Sequence, residues 1–273
     1  MLNKLLKHEF IATGRIMGIV YAVVVLIMGY VLGSYFINRD EASVGQMLGI
    51  SVLMIISMCM FVLTVVVMVT NFQKSLYGDQ GYLSFTLPVK SVSLLTSKVI
   101  TSTVWFIAAF ACFMGTMALT FFVVKEDMLG DNYETIESLM PMLLGGKSLG
   151  TIVVYVACQL ISLFIRFAMF TIEVYFAISL ANTRLFQKRY LLWTVIFSFA
   201  TIFVSEKIAQ LISEAIEFEI AVTEDSLKVI TNIADAAMGA MTIDITTIIV
   251  SLLIGAGFFY GTFYVMSKKV NIR

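Results

Sequence analysis

The sequence predicts an all-α polytopic membrane protein. Of its 273 residues, 60% are hydrophobic and only 13% are charged, whereas soluble domains carry roughly 45–50% apolar and about 25% charged residues. The apolar residues form continuous runs rather than alternating patterns, which excludes a strand barrel. The net charge is zero, so no basic field indicates a nucleic-acid partner, and the lipid bilayer is the first partner expected.

Residues 1–15 predict a short N-terminal interfacial helix. Leu2, Leu5 and Phe10 fall near one helical face, with Lys4 on another, which is typical of a helix lying in the headgroup plane. The apolar run that follows has full spanning length and no small-residue cleavage site, so a cleavable signal is not expected.

Six apolar runs predict six transmembrane helices, since a span needs about 20 mostly apolar residues. The fifth run is short, and the fourth is long enough to tilt or to project beyond the bilayer. The predicted spans are Ile16–Ile37, Met47–Thr70, Val99–Val124, Thr151–Leu180, Leu191–Val204 and Ile243–Met266.

The basic residues predict the orientation. Of the 18 Lys and Arg residues, twelve fall in the segments on one side of the predicted spans, five fall on the other side, and Arg166 lies within a span. Short cytoplasmic loops retain Lys and Arg. Both termini and the loop 71–98 are therefore predicted to be cytosolic, and the acid-rich connections are predicted to be extracellular.

The extracellular connection 205–242 predicts two amphipathic helices on the outer surface. Its apolar residues recur at helical spacing, and Thr223 precedes two acids as a helix cap would. The apolar residues that define the two helices are Ile208, Leu211, Ile212 and Ile216, followed by Leu227, Ile230 and Ile233.

No catalytic or metal-binding constellation is recognisable. His8 is the only histidine and is not followed by a second one at the zinc-protease spacing. Cys59, Cys112 and Cys158 lie inside apolar runs, where cysteine acts as a small hydrophobe. The run LLGGKS at 143–148 lacks the first glycine of a phosphate loop and a preceding strand. We therefore expect no enzyme activity, no metal and no cofactor in this chain.

Two charged residues lie within the predicted fourth span. Arg166 and Glu173 are seven residues apart, or two helical turns, and so share a face. A charge at mid-bilayer depth costs about 2.5–3.5 kcal/mol on insertion scales and normally faces protein or a watery cavity. The pair is a candidate lining of a substrate pathway; the alternative is a pair that only locks helices together.

Glycine pairs recur at four-residue spacing in the first and last spans, at Gly29 and Gly33 and at Gly257 and Gly261. Such pairs allow helix backbones to approach closely. They predict either packing within the chain or an interface with a second copy.

The cytosolic loop 71–98, NFQKSLYGDQGYLSFTLPVKSVSLLTSK, combines aromatic residues, glycines and a proline in a short space. Gly78 and Gly81 permit backbone geometries that other residues resist. Pro88 fixes its own φ and biases Leu87 toward extended structure. The pattern predicts a compact docking surface, and a plain interfacial connector explains it equally well on physical grounds alone.

The segment SLYGDQGYLSFTLPVKSVSLLTSK resembles a segment of bacterial ABC-2 type permeases, which are the membrane subunits of ABC transporters. That segment reads roughly small-Asp-Glu-Gly-Tyr-Leu-x-x-Thr-Leu-Pro-hydrophobic, then Leu-Leu-x-Ser-Lys, and Gln80 stands here where Glu is common. Outside this segment the likeness is one of layout: six spans, both ends inside and a large outer loop before the last span. The matching residues here are Asp79, Gly81, Tyr82, Leu83, Thr86, Leu87, Pro88 and Leu94–Lys98.

The resemblance implies a single permease domain over 1–273 in a bacterial plasma membrane. It implies that the loop contains a coupling helix that seats in a separate ATP-binding cassette subunit, which would hold ATP and Mg²⁺. A second copy of the chain, or a similar permease, would complete the transporter. The residues expected to contact the ATPase are Tyr77, Gly78, Asp79, Gly81, Tyr82, Leu83, Leu87 and Pro88.

The predicted function is export, and members resembling this chain often export amphipathic or antimicrobial toxin peptides. One alternative is an ion-coupled secondary carrier or channel that uses Arg166 and Glu173 and needs no ATPase. Another is a membrane sensor or anchor that binds partners without transporting anything.

Overall fold

The chain folds into six long helices and a small antiparallel sheet, as described by a computed structural model over residues 2–37, 44–78, 91–129, 149–183, 185–216, 219–222, 227–230 and 241–268. All six helices are long and apolar enough to cross a membrane, so the chain is a multi-pass membrane protein. The helices are α1 (Leu2–Ile37), α2 (Val44–Leu76), α3 (Ser91–Leu129), α4 (Leu149–Ala181), α5 (Tyr190–Ile216) and α6 (Ile245–Lys268), and a short 3₁₀ helix, Gln187–Arg189, precedes α5.

The predicted interfacial helix is not a separate element. Residues 2–15 form the first part of α1, which continues without a break to Ile37. No proline interrupts this segment, and its residues pack within a helical bundle: the Phe10 ring lies 6.1 Å from the ring of Trp105 on α3. The indole nitrogen of Trp105 donates a hydrogen bond of 2.9 Å to the hydroxyl of Thr13. Those contacts hold the segment in line with the rest of α1.

The first compact unit comprises residues 1–71 and 100–137. Its core lies between α1, α2 and α3 and is centred on Val24, Leu53, Met60 and Ala109, all of them fully buried. The Tyr21 ring stacks on the ring of Trp105, and its hydroxyl donates a hydrogen bond of 3.0 Å to the Trp105 carbonyl oxygen. This unit is a three-helix bundle.

The second compact unit comprises residues 72–99 and 138–273, so the ends of α2 and α3 nearest the loop 71–98 belong to it. Within it, α4 packs against both α5 and α6, and α5 packs against α6. The unit contains the intramembrane charges and both stems of the loop 71–98, so the candidate site residues concentrate here.

The connection 205–242 differs from its prediction. Its first predicted helix is the continuation of α5 to Ile216, and the second is replaced by strands. The strands are β1 (Glu219–Val222), β2 (Leu227–Ile230) and β3 (Met241–Asp244), in the order β2-β1-β3. Both pairings are antiparallel, with Glu219 opposite Ile230 in one and opposite Asp244 in the other.

The physical reason lies in the short apolar segments. Each strand is four residues long, and β1 and β2 are rich in β-branched residues and separated by four residues, which is typical of a hairpin. The helix was predicted from Leu227, Ile230 and Ile233, which cover only about two turns, too few residues to favour a helix over a hairpin. Thr223, predicted as a helix cap, lies outside the described residues.

Candidate functional site

The first stem of the loop 71–98 begins where α2 ends, at Leu76. The carbonyl oxygen of Gln73 accepts hydrogen bonds from the backbone N–H groups of Tyr77, at 2.9 Å, and of Gly78, at 3.0 Å. A Cβ at Gly78 would lie 3.0 Å from the carbonyl oxygen of Lys74, closer than a side chain normally approaches backbone. Glycine at position 78 therefore lets the chain fold tightly against the last turn of α2.

Tyr77 is held by its own chain. Its side chain is 9% exposed, and its hydroxyl donates a hydrogen bond of 2.8 Å to Oγ of Ser179 on α4. The Ser179 hydroxyl in turn donates a hydrogen bond of 2.8 Å to the carbonyl oxygen of Tyr175. Burial raises the pKa of Tyr77 well above its ordinary value, although the hydrogen bond with Ser179 opposes the shift. The phenol therefore stays protonated and remains a donor.

Aromatic rings complete this contact. The ring of Phe72, near the end of α2, stacks on the ring of Tyr175 with centroids 3.8 Å apart and planes 10° from parallel. The Phe72 and Tyr77 rings lie 6.1 Å apart in a tilted arrangement, and both Phe72 and Leu76 are fully buried. We call Phe72, Leu76, Tyr77, Tyr175 and Ser179 the loop base.

The other stem of the loop is also buried. Helix α3 begins at Ser91, and Leu94 and Leu95 are 8% and 1% exposed. Lys98, the last residue of the loop motif, is 2% exposed, and its carbonyl oxygen lies 3.5 Å from the Tyr175 hydroxyl, at the long limit of a hydrogen bond. Sequence reasoning treated Lys98 as a cytosolic charge and did not identify Tyr175 or Ser179.

The remaining predicted contacts for an ATPase are not covered by the structure. Asp79, Gly81, Tyr82, Leu83, Leu87 and Pro88 lie outside the described residues. Their role in docking stays a prediction. Of the predicted set, only Tyr77 and Gly78 have a described position, and both belong to the foot of the loop rather than to its tip.

Arg166 and Glu173 lie on α4 as predicted, but their polar neighbours differ. Glu173 is 9% exposed and lies beside Ser205 and Glu206 of α5. Arg166 is exposed and interacts electrostatically with Asp244. The two charges share a helix face, and the structure gives each of them a neighbour on a different helix.

Asp244 joins the last strand to the last helix. Its Oδ1 accepts a hydrogen bond of 2.9 Å from the backbone N–H of Thr247. Asp244 is therefore the N-cap of α6. Its Oδ2 accepts hydrogen bonds from the hydroxyls of Thr247 and of Ser213 on α5, the latter at 2.9 Å. Partial burial alone would raise the pKa of Asp244, but these hydrogen bonds and the charge of Arg166 lower it below its usual value.

Asp244 falls inside the predicted sixth span, Ile243–Met266, and no role was predicted for it. A signal for its role was present: an aspartate directly before a long apolar run, with threonine three residues later, is typical of a helix N-terminus. The contacts of Asp244 to Ser213 and Arg166 are tertiary, and no local pattern predicts them.

The glycine pairs separate into two kinds. A Cβ at Gly261 would lie 2.7 Å from Cε2 of Phe176 on α4, and one at Gly255 would overlap the sulfur of Met169. These two glycines therefore permit close packing of α6 on α4. Around Gly29, Gly33 and Gly257, no heavy atom of the described chain lies within 4 Å of an added Cβ, so their predicted use as an interface with another copy stays a prediction.

Within the part of the chain that the structure describes, no group of three or more His, Cys, Asp or Glu residues is placed to hold a metal ion.

The six long apolar helices make the chain a multi-pass helical membrane protein. Its distinguishing features are the buried loop base and the polar and charged side chains on its membrane helices. No known protein family, curated protein or solved structure matches the chain.

Proposed function

We propose that the chain is the membrane-spanning subunit of an ATP-driven exporter, with ATP and Mg²⁺ bound by a separate ATP-binding cassette subunit that docks on the loop 71–98. Three features support the proposal. The chain has six helices that can cross a membrane, its loop carries the permease-like motif between Asp79 and Lys98, and its described segments between helices are too short to house a nucleotide-binding domain.

The observation on which the proposal mainly rests is the loop base. A motor that pushes on a loop moves a transporter only if the loop is firmly joined to the membrane helices. Here Phe72 stacks on Tyr175 and Tyr77 is hydrogen-bonded to Ser179, so one stem of the loop is fixed directly to α4. Because α4 also bears Arg166 and Glu173, displacement of the loop would be transmitted to the helix with the intramembrane charges.

The docking step is tested by co-purification. An ATP-binding cassette subunit is sought among the neighbouring genes and co-expressed with the chain, and the recovered complex and its ATPase rate are measured. Tyr82→Asp and Leu83→Asp place a charge on the motif residues of the loop tip, whereas Ser84→Asp places the same charge on the adjacent non-motif position and is the matched control. We expect the first two variants to lose the ATPase and the control to retain it. Full assembly and stimulation in all three would refute docking at this loop.

The proposed cargo is an amphipathic, cationic peptide. Acidic residues dominate the predicted outer segments, and the 17 Met and 22 Phe residues offer apolar surface that adapts to varied shapes. Inside-out vesicles that contain both subunits should accumulate such a peptide when ATP is added and not when it is withheld. Uptake of a lipid or a small drug without any peptide uptake would overturn the cargo assignment.

A second function is favoured by one observation, the burial of Glu173 on a membrane helix. A buried acid of this kind is typical of proton-coupled carriers. In that case the purified chain alone, in liposomes without any ATPase, would move protons down an imposed gradient. Glu173→Gln would abolish the flux, while an ATP-driven exporter would show no flux in the same assay.

A further inference from the structure

Polar side chains follow one face of α4 through most of the membrane. Five polar residues follow one another at spacings of four, three, four and seven residues. These spacings place all five within about 40° of a common direction around the helix axis. From first to last, 18 residues at ~1.5 Å per residue span about 27 Å, close to the ~30 Å thickness of the hydrocarbon core. The residues of this polar face are Tyr155, Gln159, Ser162, Arg166 and Glu173.

The polar face is not uniformly covered by the rest of the chain. Gln159 and Arg166 are exposed and Tyr155 is half-buried. The small side chain of Ser162, between Gln159 and Arg166, is 8% exposed. Glu173 at the other end is 9% exposed and lies beside Ser205. The face is therefore open toward the Leu149 end of α4 and closed at Glu173. The amide of Gln159 donates a hydrogen bond of 3.0 Å to the Tyr155 hydroxyl, so these two polar side chains lie side by side on the face.

A neighbouring helix adds polar groups to the same region. Asp244, at the start of α6, interacts electrostatically with Arg166, and the Thr247 hydroxyl donates to its carboxylate. One turn further along α6, the Ser251 hydroxyl donates a hydrogen bond of 2.6 Å to the Thr247 carbonyl oxygen. Asp244 and Ser251 are both half-buried. Asp244, at the start of α6, therefore borders the face at Arg166.

We propose that the polar face of α4 lines an aqueous crevice that opens at the Leu149 end of the helix and ends at Glu173. Hydrocarbon solvates neither a guanidinium nor a side-chain amide, and charged groups within membrane segments almost always face protein or water. The described chain leaves Gln159 and Arg166 exposed, so water is the occupant that solvates the polar atoms not engaged by Tyr155 and Asp244. The crevice admits polar, hydrogen-bonding solutes, and it lies within one chain rather than between two copies.

The crevice is tested by cysteine accessibility, which requires neither cargo nor an ATPase and is therefore independent of the proposed export. The native cysteines are first replaced by alanine (C59A, C112A, C158A). Single substitutions Tyr155→Cys, Gln159→Cys and Arg166→Cys probe the polar face. Val153→Cys and Ile161→Cys are matched controls on other faces of the same helix, where the native side chains are 63% and 58% exposed.

The protein is reconstituted in liposomes, and its modification by a charged, membrane-impermeant thiol reagent is followed by mass spectrometry. Such reagents react with the thiolate, which apolar surroundings disfavour. We expect the polar-face variants to react about tenfold or more faster than the controls. The Tyr155 and Gln159 variants keep the test decisive if Arg166→Cys fails to assemble. Equal rates on both faces would overturn the proposal, and so would oxidative cross-linking of two Gln159→Cys chains, which would show that a second copy covers this face.

Discussion

The hydrogen bond between Tyr77 and Ser179 has a measurable energetic signature. Tyr77→Phe keeps the ring, which remains near Phe72, and removes only the hydroxyl donor to Ser179. A hydrogen bond of this kind contributes about 0.5–1.5 kcal/mol net, and interhelical bonds in membranes fall in the same range. A loss of about 1 kcal/mol lowers Tm by about 2–4 °C in a protein of this size.

Ser179→Ala should cost more than Tyr77→Phe, because it leaves the buried Tyr77 hydroxyl without its acceptor, a penalty of about 1–3 kcal/mol. The double variant removes both partners and should cost less than the sum of the single variants. Thermal unfolding of the detergent-purified protein measures all four states of this cycle. Tyr155→Phe is the control, since it removes the hydroxyl of an exposed pair and should shift stability by less than about 0.5 kcal/mol. Additive single effects, or an unchanged Tm in Tyr77→Phe, would refute the coupling of the loop base to α4.

The other predictions concern the remaining polar groups and glycines. Thr194→Val should stabilise the protein by about 1 kcal/mol in the same unfolding assay, because among the described residues its buried hydroxyl has no hydrogen-bond partner; destabilisation would indicate a bound water or an unseen partner. Gly261→Ala should lower stability by about 1–3 kcal/mol through overpacking, whereas Gly257→Ala, one turn away in open space, should be neutral or stabilising; the reverse order would contradict the packing. Asp244 has a lowered pKa, so its contribution to stability is complete above about pH 4, the ordinary aspartate value, and is lost as pH falls through the lower folded value. The stability difference between wild type and Asp244→Asn should therefore shrink below about pH 4, and a pH-independent difference would refute that assignment.

The six membrane helices are predictable because their physical cause is local. A run of about 20 apolar residues has to satisfy its own backbone hydrogen bonds in the bilayer, and only a helix does this within one segment. The ends are less predictable, since apolarity defines the membrane-buried part and not the helix: α5 continues twelve residues past the predicted end at Val204, to Ile216. The sheet was missed for a similar reason, because a hairpin of four-residue strands and an amphipathic turn share much of their apolar pattern.

The candidate site was only partly predictable. Local composition identified Tyr77, Gly78, Arg166 and Glu173 as unusual, and the structure places each of them in a defined environment. Their partners are distant in sequence: 102 residues separate Tyr77 from Ser179. Nothing in a serine on an apolar helix distinguishes such an acceptor from one that bonds only its own backbone.

The junction at Asp244 couples the small sheet mechanically to α6. β3 ends at Asp244 and α6 begins at Ile245, so no linker separates strand from helix. The same carboxylate that caps α6 also accepts a hydrogen bond from Ser213, near the end of α5. A ligand that displaced the sheet would therefore displace α6 directly, because β3 and α6 form one continuous backbone. The displacement would be transmitted along α6 into the membrane.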